Sequence, residues 1–567
     1  MRFRFTAFAS LLCLPIVPTS AQTFGVEPQV VFTTPTTIPV NGLIWEGAPQ
    51  DGAGLPGQPR IANDGTVYLT AALPLPPGPT PIDYVRNFFL LQDGNAFIRE
   101  GLEIPGAEPF VPLSDFPLSQ QPYQDIDLNS TGSIAQILTG TDVYLRDGKN
   151  LPDANDLAFP DADPIPLLLL DRELVIKDGD EVDILPGVIF PRNALVDLSA
   201  ADLNDNGSLL VRGSLDTGIG QFDADTLAIF RIDDPVGART IVPMIIADED
   251  FLLPGLGVSV STYAANEADL AFNDSNAFIT SIDIRGASGT EDGAIALYDD
   301  STGTYSLLAR EGQPSAIPGR NWVSVFNVPV ALNNVGDWAF RGRVSGDSTT
   351  NSILVRNNAI VAQEGDTVDS ITGPRVLQLG NADANIQMDD AGNIVWYAAW
   401  NAPKADVCPD NTDITSSFAI WEGLYLNDEL LIEGGRTVVR DVTIDGTLFP
   451  ELVVADVPNT IGGFSLSPDG RTLIVSLLVA EPDPDICAYS INNDATPLGS
   501  VVLTLDVARI LQCRLADTNN DGEVTPADFN AWVAAFNASD DAADQNGDGL
   551  VNPADFNAWI ANFNACG

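Results

Sequence analysis

The chain has 567 residues, with 26 Lys+Arg against 78 Asp+Glu, a net charge of −52, and no histidine. Without imidazole there is no Ser-His-Asp or Cys-His nucleophile, no His general acid or base and no His-ligated metal, and so dense an anionic surface excludes nucleic acid as a partner. Five cysteines with no CxxC pair exclude the usual structural zinc and iron–sulfur sites, while a hydrophobic share of 45% marks a globular chain rather than a disordered polyanion.

The start of the sequence reads as an export signal. Met1-Arg2-Phe3-Arg4 is a basic leader, Phe5 to Val17 is apolar, and Thr19-Ser20-Ala21 offers small residues for cleavage before Gln22. Residues 1–21 are therefore expected to be a removed signal peptide, and the mature protein to be secreted, extracellular or at the cell surface. Leu12 before Cys13 is too bulky for a lipoprotein signal, and no later apolar run has the roughly 18 residues a membrane span needs. Four cysteines remain, Cys408, Cys487, Cys513 and Cys566, in a compartment where pairing is expected. They allow three connectivities, and position favours 408–487 with 513–566.

Between about residues 30 and 505 one phrase returns: an alternating apolar stretch, an Asn/Asp turn ending in Gly, and a second alternating stretch. Its turns are Ala62 to Gly65, Asn129 to Gly132, Asn204 to Gly207, Asn273 to Asn276, Asn333 to Gly336, Asp389 to Gly392 and Ser467 to Gly470. Asn276 stands in for Gly because Asn tolerates the left-handed backbone. A second phrase lies between them, two strands around a polar pair followed by Glu-Gly, as at Asn357-Asn358 with Glu364-Gly365 and at Asn427-Asp428 with Glu433-Gly434. Period-two alternation with tight turns, about four strands per repeat, describes blades that must stack to bury their faces. The fold class expected is mainly β, a β-propeller of about seven blades; a β-solenoid or a sandwich array is the alternative. Ile44-Trp-Glu46-Gly47 is a leading half-unit of the kind ring closure requires. The Asp-Gly and Glu-Gly pairs read as turn residues, and Trp396, Tyr397 and Trp400 as blade core. The phrase, matched best at Asn333 to Phe340, resembles secreted tandem repeats of the Asn-x-x-Gly-x-x-Ala-Phe type, which implies a fold and no particular activity.

Residues 513–567 carry two segments repeated with a period of 27. Calcium takes six to eight oxygens, which a twelve-residue loop supplies from positions 1, 3, 5, 7, 9 and 12. The expected ligands are Asp517, Asn519, Asp521, Glu523 (backbone), Thr525 and Asp528 in the first loop. The second loop offers Asp544, Asn546, Asp548, Leu550 (backbone), Asn552 and Asp555, so two Ca²⁺ ions are expected. Gly522 and Gly549 stand at position 6, where the chain turns sharply. Each loop should start a helix, since Thr525-Pro526-Ala527-Asp528 and Asn552-Pro553-Ala554-Asp555 read as N-cap, N1 Pro and N3 acid. Phe529, Trp532, Val533 and Phe536, and their counterparts Phe556, Trp559, Ile560 and Phe563, form one apolar stripe per helix. The two stripes should pack face to face, helped by metal and a 513–566 disulfide.

A duplicated EF-hand-type loop with a single following helix resembles a dockerin, here of the Cys/Gly-terminated kind found in planctomycete-like bacteria. The resemblance implies calcium binding and docking onto a cohesin-like or cell-envelope protein. Pro526-Ala527 and Pro553-Ala554 depart from the Ser-Thr pair that cohesins read, which leaves the partner open. The expected function is a secreted calcium-binding protein whose docking module carries a non-catalytic propeller for binding or adhesion, possible ligands including polysaccharide. The alternative is an extracellular carbohydrate-active hydrolase or lyase, carboxylate-based, tethered by its dockerin. No pair among the 78 acids stands out as catalytic.

Overall fold

The computed structural model describes residues 28–34, 57–72, 88–93, 95–99, 104, 110–112, 123–142, 165–177, 180, 194–216, 226–248, 250–263, 269–368, 370, 374–379, 386–403, 418–444, 447–456, 463–482, 498–521 and 523–566. The signal segment, the Ile44 to Gly47 half-unit, Cys408, Cys487 and Gly522 lie outside these residues.

The described strands form seven antiparallel sheets of four to six strands. Each is a blade, and their innermost strands make a closed circuit. Gly57–Ile61 of blade one neighbours Tyr123–Leu128 of blade two, which neighbours Ala194–Leu203 of blade three. The circuit continues through Leu270–Phe272, Val330–Leu332, Ile386–Met388 and Phe464–Leu466, and the last returns to Gly57–Ile61. The expectation of seven blades is met, and the solenoid and sandwich alternatives are not.

Closure uses the two ends of the repeat region. The early strand Gln29–Thr34 forms the outer strand of blade seven, paired antiparallel with Gly499–Asp506 from Gln29↔Thr504 to Thr34↔Ser500. The pairing ties the early part of the repeat region to its last strand.

The turn residues behave as their chemistry requires. Gly65, Gly132, Gly207, Gly336, Gly392 and Gly470 all have positive φ, and so does Asn276 at 57°. At Asn357 and Asn358 the second phrase closes a hairpin in which both turn residues are left-handed, at 47° and 66°, the backbone that a two-residue type I′ turn demands, while at Asn427-Asp428 only Asn427 is, at 55°. The side chain of the first turn residue then accepts from the start of the blade's second strand: Asn357 Oδ1 from Trp338 N at 3.1 Å, Asn427 Oδ1 from Ile394 N at 3.0 Å, Asp171 Oδ1 from Ile134 N at 2.9 Å.

Cores lie between blades. Val395, Tyr397 and Leu424 of blade six pack with Leu473, Val475 and Leu503 of blade seven, and Trp396 and Trp400 on the opposite face pack with Ala339 and Leu354 of blade five. All three aromatics are buried, as expected of blade core. Glu311-Gly312 and Glu364-Gly365 stand in turns, as expected. The glycines do take turn conformations, with φ of 78° at Gly312 and 92° at Gly365. The glutamates, however, reach beyond the turn, Glu311 accepting from Val325 N at 3.3 Å and Glu364 from Ser352 N at 3.3 Å.

The chain leaves blade seven directly into helix α1 (Val507–Ala516), followed by α2 (Pro526–Ala538) and α3 (Pro553–Cys566). Disulfide Cys513–Cys566 joins α1 to the end of α3. Among the described residues no helix is long and apolar enough to cross a membrane.

Candidate metal centre and channel mouth

The first loop starts where α1 stops. Asp517 caps the helix with its N–H on the Cys513 carbonyl at 2.9 Å, and its Oδ1 accepts from Asp521 N at 3.1 Å. Asn519 Oδ1 also accepts from Asp521 N, at 2.8 Å, which folds the chain into a tight series of side-chain-capped turns. At the far end Thr525 and Asp528 form the expected capping box of α2. Asp528 Oδ2 accepts from Thr525 N at 2.8 Å, and Thr525 Oγ1 from Ala527 N at 3.2 Å. Asp528 Oδ1 reaches back to Asn519 N at 3.2 Å.

These contacts bring one carboxylate oxygen each of Asp517, Asp521 and Asp528 within 4.8 Å of one another. Asp528 is fully buried and Asp517 nearly so. Three carboxylates drawn together repel, and burying the charge of two of them costs several kcal/mol unless a counter-charge is present. The donor set is all oxygen, suiting a hard divalent cation. Asn519 and Thr525 sit beside the three carboxylates, whereas the Glu523 side chain is exposed, in line with a backbone role.

The second loop repeats the framework. Asp555 is fully buried and accepts from Gln545 N at 3.0 Å and Asn552 N at 2.7 Å. Asn552 caps α3 by accepting from Ala554 N at 2.8 Å. Asp544, like Asp517, accepts from its own loop's backbone, taking Asp548 N at 3.2 Å as Asp517 takes Asp521 N, and also Gly547 N at 2.9 Å and Gly549 N at 2.8 Å. Asp544, Asp548 and Asp555 do not form a second three-carboxylate group among the described residues. Asn546 bonds Asp548 as Asn519 bonds Asp521, and the Leu550 side chain is exposed.

The helices pack as a near-symmetric pair. The Phe529–Trp559 centroids are 5.2 Å apart and those of Trp532–Phe556, the same pair with the halves exchanged, 5.5 Å. Trp532 Nε1 donates to the Ala543 carbonyl and Trp559 Nε1 to that of Ala516, each at 3.3 Å and again 27 residues apart. The apolar stripes are not wholly buried. Trp532 and Trp559 go in, but Phe529, Val533, Phe556 and Ile560 each remain 37–39% exposed, one duplicated apolar ridge along the paired helices.

The second constellation is the mouth of the propeller channel. Each Asn-x-x-Gly turn binds itself and the next blade. Asn333 Oδ1 accepts from Asp337 N at 2.8 Å, while its Nδ2 donates to the Asp389 carbonyl at 2.9 Å. Asn129, Asn204 and Asn273 make the same donation to Asn204, Asn273 and Asn333 at 3.3, 3.2 and 3.0 Å. The following position adds a second link. Ser130, Asp205, Asp274 and Asn334 each give a backbone N–H to Oδ1 of Asp205, Asp274, Asn334 and Asp390 at 2.6–2.9 Å. Asn63 completes the circle, donating to the Ser130 carbonyl at 3.2 Å and accepting from Asp469 N at 2.9 Å. Between blades six and seven the turns meet by close approach: a Cβ on Gly470 would run into that of Asp389.

Inside this collar lies a cavity of about 220 Å³. Arg60, Asp127, Asp202, Gln387 and Ser465 line it, each two residues before its turn and so on one face of its strand. Burial, reinforced by the charges of Asp205 and Asp390, holds the Asp274 carboxyl above its ordinary range. Elsewhere, in blade four, burial and the charges of Asp292 and Glu311 push Asp283 up to about 6.

Residues 172–406 match a family of unknown function (DUF7453), a stretch from the Asp171-Arg172 hairpin into blade six. No curated protein matches the chain. Among solved structures it is similar to a protein of unknown function from Dyadobacter fermentans, at 10% identity over 71% of this chain and 100% of that one, TM-score 0.27. It is also similar to an α-L-arabinanase of Penicillium chrysogenum, at 13% identity over 71% of this chain and 98% of that one, TM-score 0.31. A third is an oligogalacturonate lyase of Vibrio parahaemolyticus, at 10% identity over 66% of this chain and 78% of that one, TM-score 0.30. At such TM-scores these likenesses carry nothing about activity.

Proposed function

We propose that this chain is an exported, calcium-binding docking protein whose propeller serves binding or adhesion rather than catalysis. The observation that carries the reading is the convergence of Asp517, Asp521 and Asp528, two of them buried, at the junction of α1 and the loop that starts α2. Asp517, Asn519, Asp521, Thr525 and Asp528, with the Glu523 carbonyl, would hold one Ca²⁺. Asp544, Asn546, Asp548, Asn552 and Asp555, with the Leu550 carbonyl, would hold a second. Bound cations would supply charge neutralisation and order, no more. The ridge of Phe529, Val533, Phe556 and Ile560 supports docking through the helices, because apolar surface shared by both halves is costly to leave in water. The partner would be a cohesin-like or cell-envelope protein.

The non-catalytic reading of the propeller is supported by the collar. Asp205, Asp274 and Asp390 each spend a carboxylate oxygen on a neighbouring backbone N–H, the work of a fastening rather than of a proton-transfer pair. The test uses the full chain and a panel of acidic and neutral polysaccharides. Retention in affinity electrophoresis without new reducing ends supports the binder. Turnover abolished by a single carboxylate substitution at the channel would replace it with the alternative, a carbohydrate-active enzyme. An Asp528→Asn/Asp555→Asn chain should lose calcium-dependent retention on cell envelopes while keeping any polysaccharide retention.

A further inference from the structure

Helix α1 belongs to two bodies at once. Its first turn is part of blade seven: Asp506, the last residue of the closing strand, caps it by accepting from Arg509 N at 2.9 Å. Ala508 N donates to the Arg471 carbonyl at 3.1 Å. Val507 and Ile510 are fully buried in the cluster that holds Leu473, Val475, Leu503 and Leu505. Its last turn is part of the C-terminal module. Cys513 and Ala516 are fully buried, the first in the disulfide to Cys566 and the second with its carbonyl on Trp559 Nε1. Asp517, the next residue, is the first of the three convergent carboxylates. Arg514 pairs with Asp428 in the blade-six hairpin, a further tie across the junction.

A ten-residue helix is a stiff rod of about 15 Å, with no linker at either end. Its upstream neighbour is the strand on which ring closure depends, since Gln29–Thr34 is held by pairing with Gly499–Asp506 and by Thr33 Oγ1 on the Thr443 carbonyl at 3.0 Å. We propose that the C-terminal module is a cation-dependent clasp on the propeller: a divalent ion at Asp517, Asp521 and Asp528 fixes the end of α1, and α1 in turn holds the closing strand and its Gln29–Thr34 partner. This rests on the calcium reading above and goes beyond it, because a docking module need not affect the domain it carries.

Linkage sets the size of the effect. An opening that detaches α1 and breaks the cation site is suppressed by the factor 1 + [Ca²⁺]/Kd, about 100-fold at a free concentration 100 times Kd. Amides of Gly499–Asp506 that exchange through such an opening should slow by the same factor. The experiment is hydrogen exchange with mass spectrometry on the full chain, chelator-stripped and then with CaCl₂, at matched ionic strength so that screening of the −52 charge cancels. Slower exchange in 517–528 together with slower exchange in 499–506 and 29–34 is the expected result. Protection confined to 517–528 would overturn the clasp and leave the calcium reading intact. No change in 517–528 would overturn both. Ile510→Ala, which loosens α1 from blade seven without touching the loop, should keep calcium protection in 517–528 and lose it in 499–506. Equal transmission by that variant would show that α1 packing is not the route.

Discussion

Replacing Asn333 by Ala removes two fastenings at one stroke. Its Oδ1 satisfies the Asp337 N–H at 2.8 Å and its Nδ2 the Asp389 carbonyl at 2.9 Å, and the residue is only 4% exposed. Each hydrogen bond is worth about 0.5–1.5 kcal/mol net, and a stranded buried group costs about 1–3 kcal/mol. The loss should therefore be about 2–3 kcal/mol, or exchange faster by roughly 30- to 150-fold in the adjoining strand Trp338–Val344. Asn63 supplies the comparison. It also makes one donation and one acceptance in the collar, but it is exposed, so water replaces both partners and Asn63→Ala should cost no more than about 0.5 kcal/mol. Asn333→Asp keeps the acceptor and turns a carboxylate oxygen toward the Asp389 carbonyl, so it should be at least as damaging as Ala. Hydrogen exchange and urea midpoints measure all three. Equal, small effects for Asn333→Ala and Asn63→Ala would refute the view that the collar locks neighbouring blades.

Opening the 513–566 bridge by Cys→Ser at both positions should destabilise the C-terminal module by about 4 kcal/mol on chain-entropy grounds for a separation of 53 residues, read as exchange in α2 and α3. Trp559→Ala deletes half of a two-tryptophan core and should cost about 3–5 kcal/mol, loosening the module while blade-four amides stay protected. Asp283 holds its proton to about pH 6 through burial and the neighbouring charges of Asp292 and Glu311. Relative to the unfolded chain, whose Asp titrates near 3.8, its contribution is full below that value and is lost as pH rises through 6. Asp283→Asn should thus raise the urea midpoint at pH 7 and leave it nearly unchanged below pH 4; the reverse order would contradict the sign.

What could be read from the sequence was what local backbone chemistry dictates. A left-handed fourth turn position demands Gly or Asn, so the seven turns were visible as punctuation and gave the blade count. Thr525-Pro526-Ala527-Asp528 announced its own helix because N-cap, N1 and N3 preferences act within one turn. What escaped is what only distance in space creates. The reach of Asn333 to the next blade joins residues 56 apart, and the Glu311 carboxylate serves a backbone amide rather than its own turn. Closure by Gln29–Thr34 joins opposite ends of the repeat region and leaves no local trace. Helix α1 was missed although Val507, Ile510 and Leu511 have helical spacing behind the Asp506 cap, because it straddles the boundary between two domains read separately.

The central claim is that Asp517, Asp521 and Asp528 hold a calcium ion. Titration calorimetry of Ca²⁺ into the chelator-stripped full chain tests it most directly, beside an Asp528→Asn/Asp555→Asn chain that keeps nearly all of the surface acids. Saturable heat at two ions per chain, absent from the double variant, is the predicted result. Heat that fails to saturate, or that survives both substitutions unchanged, would mean that calcium only screens an acidic surface.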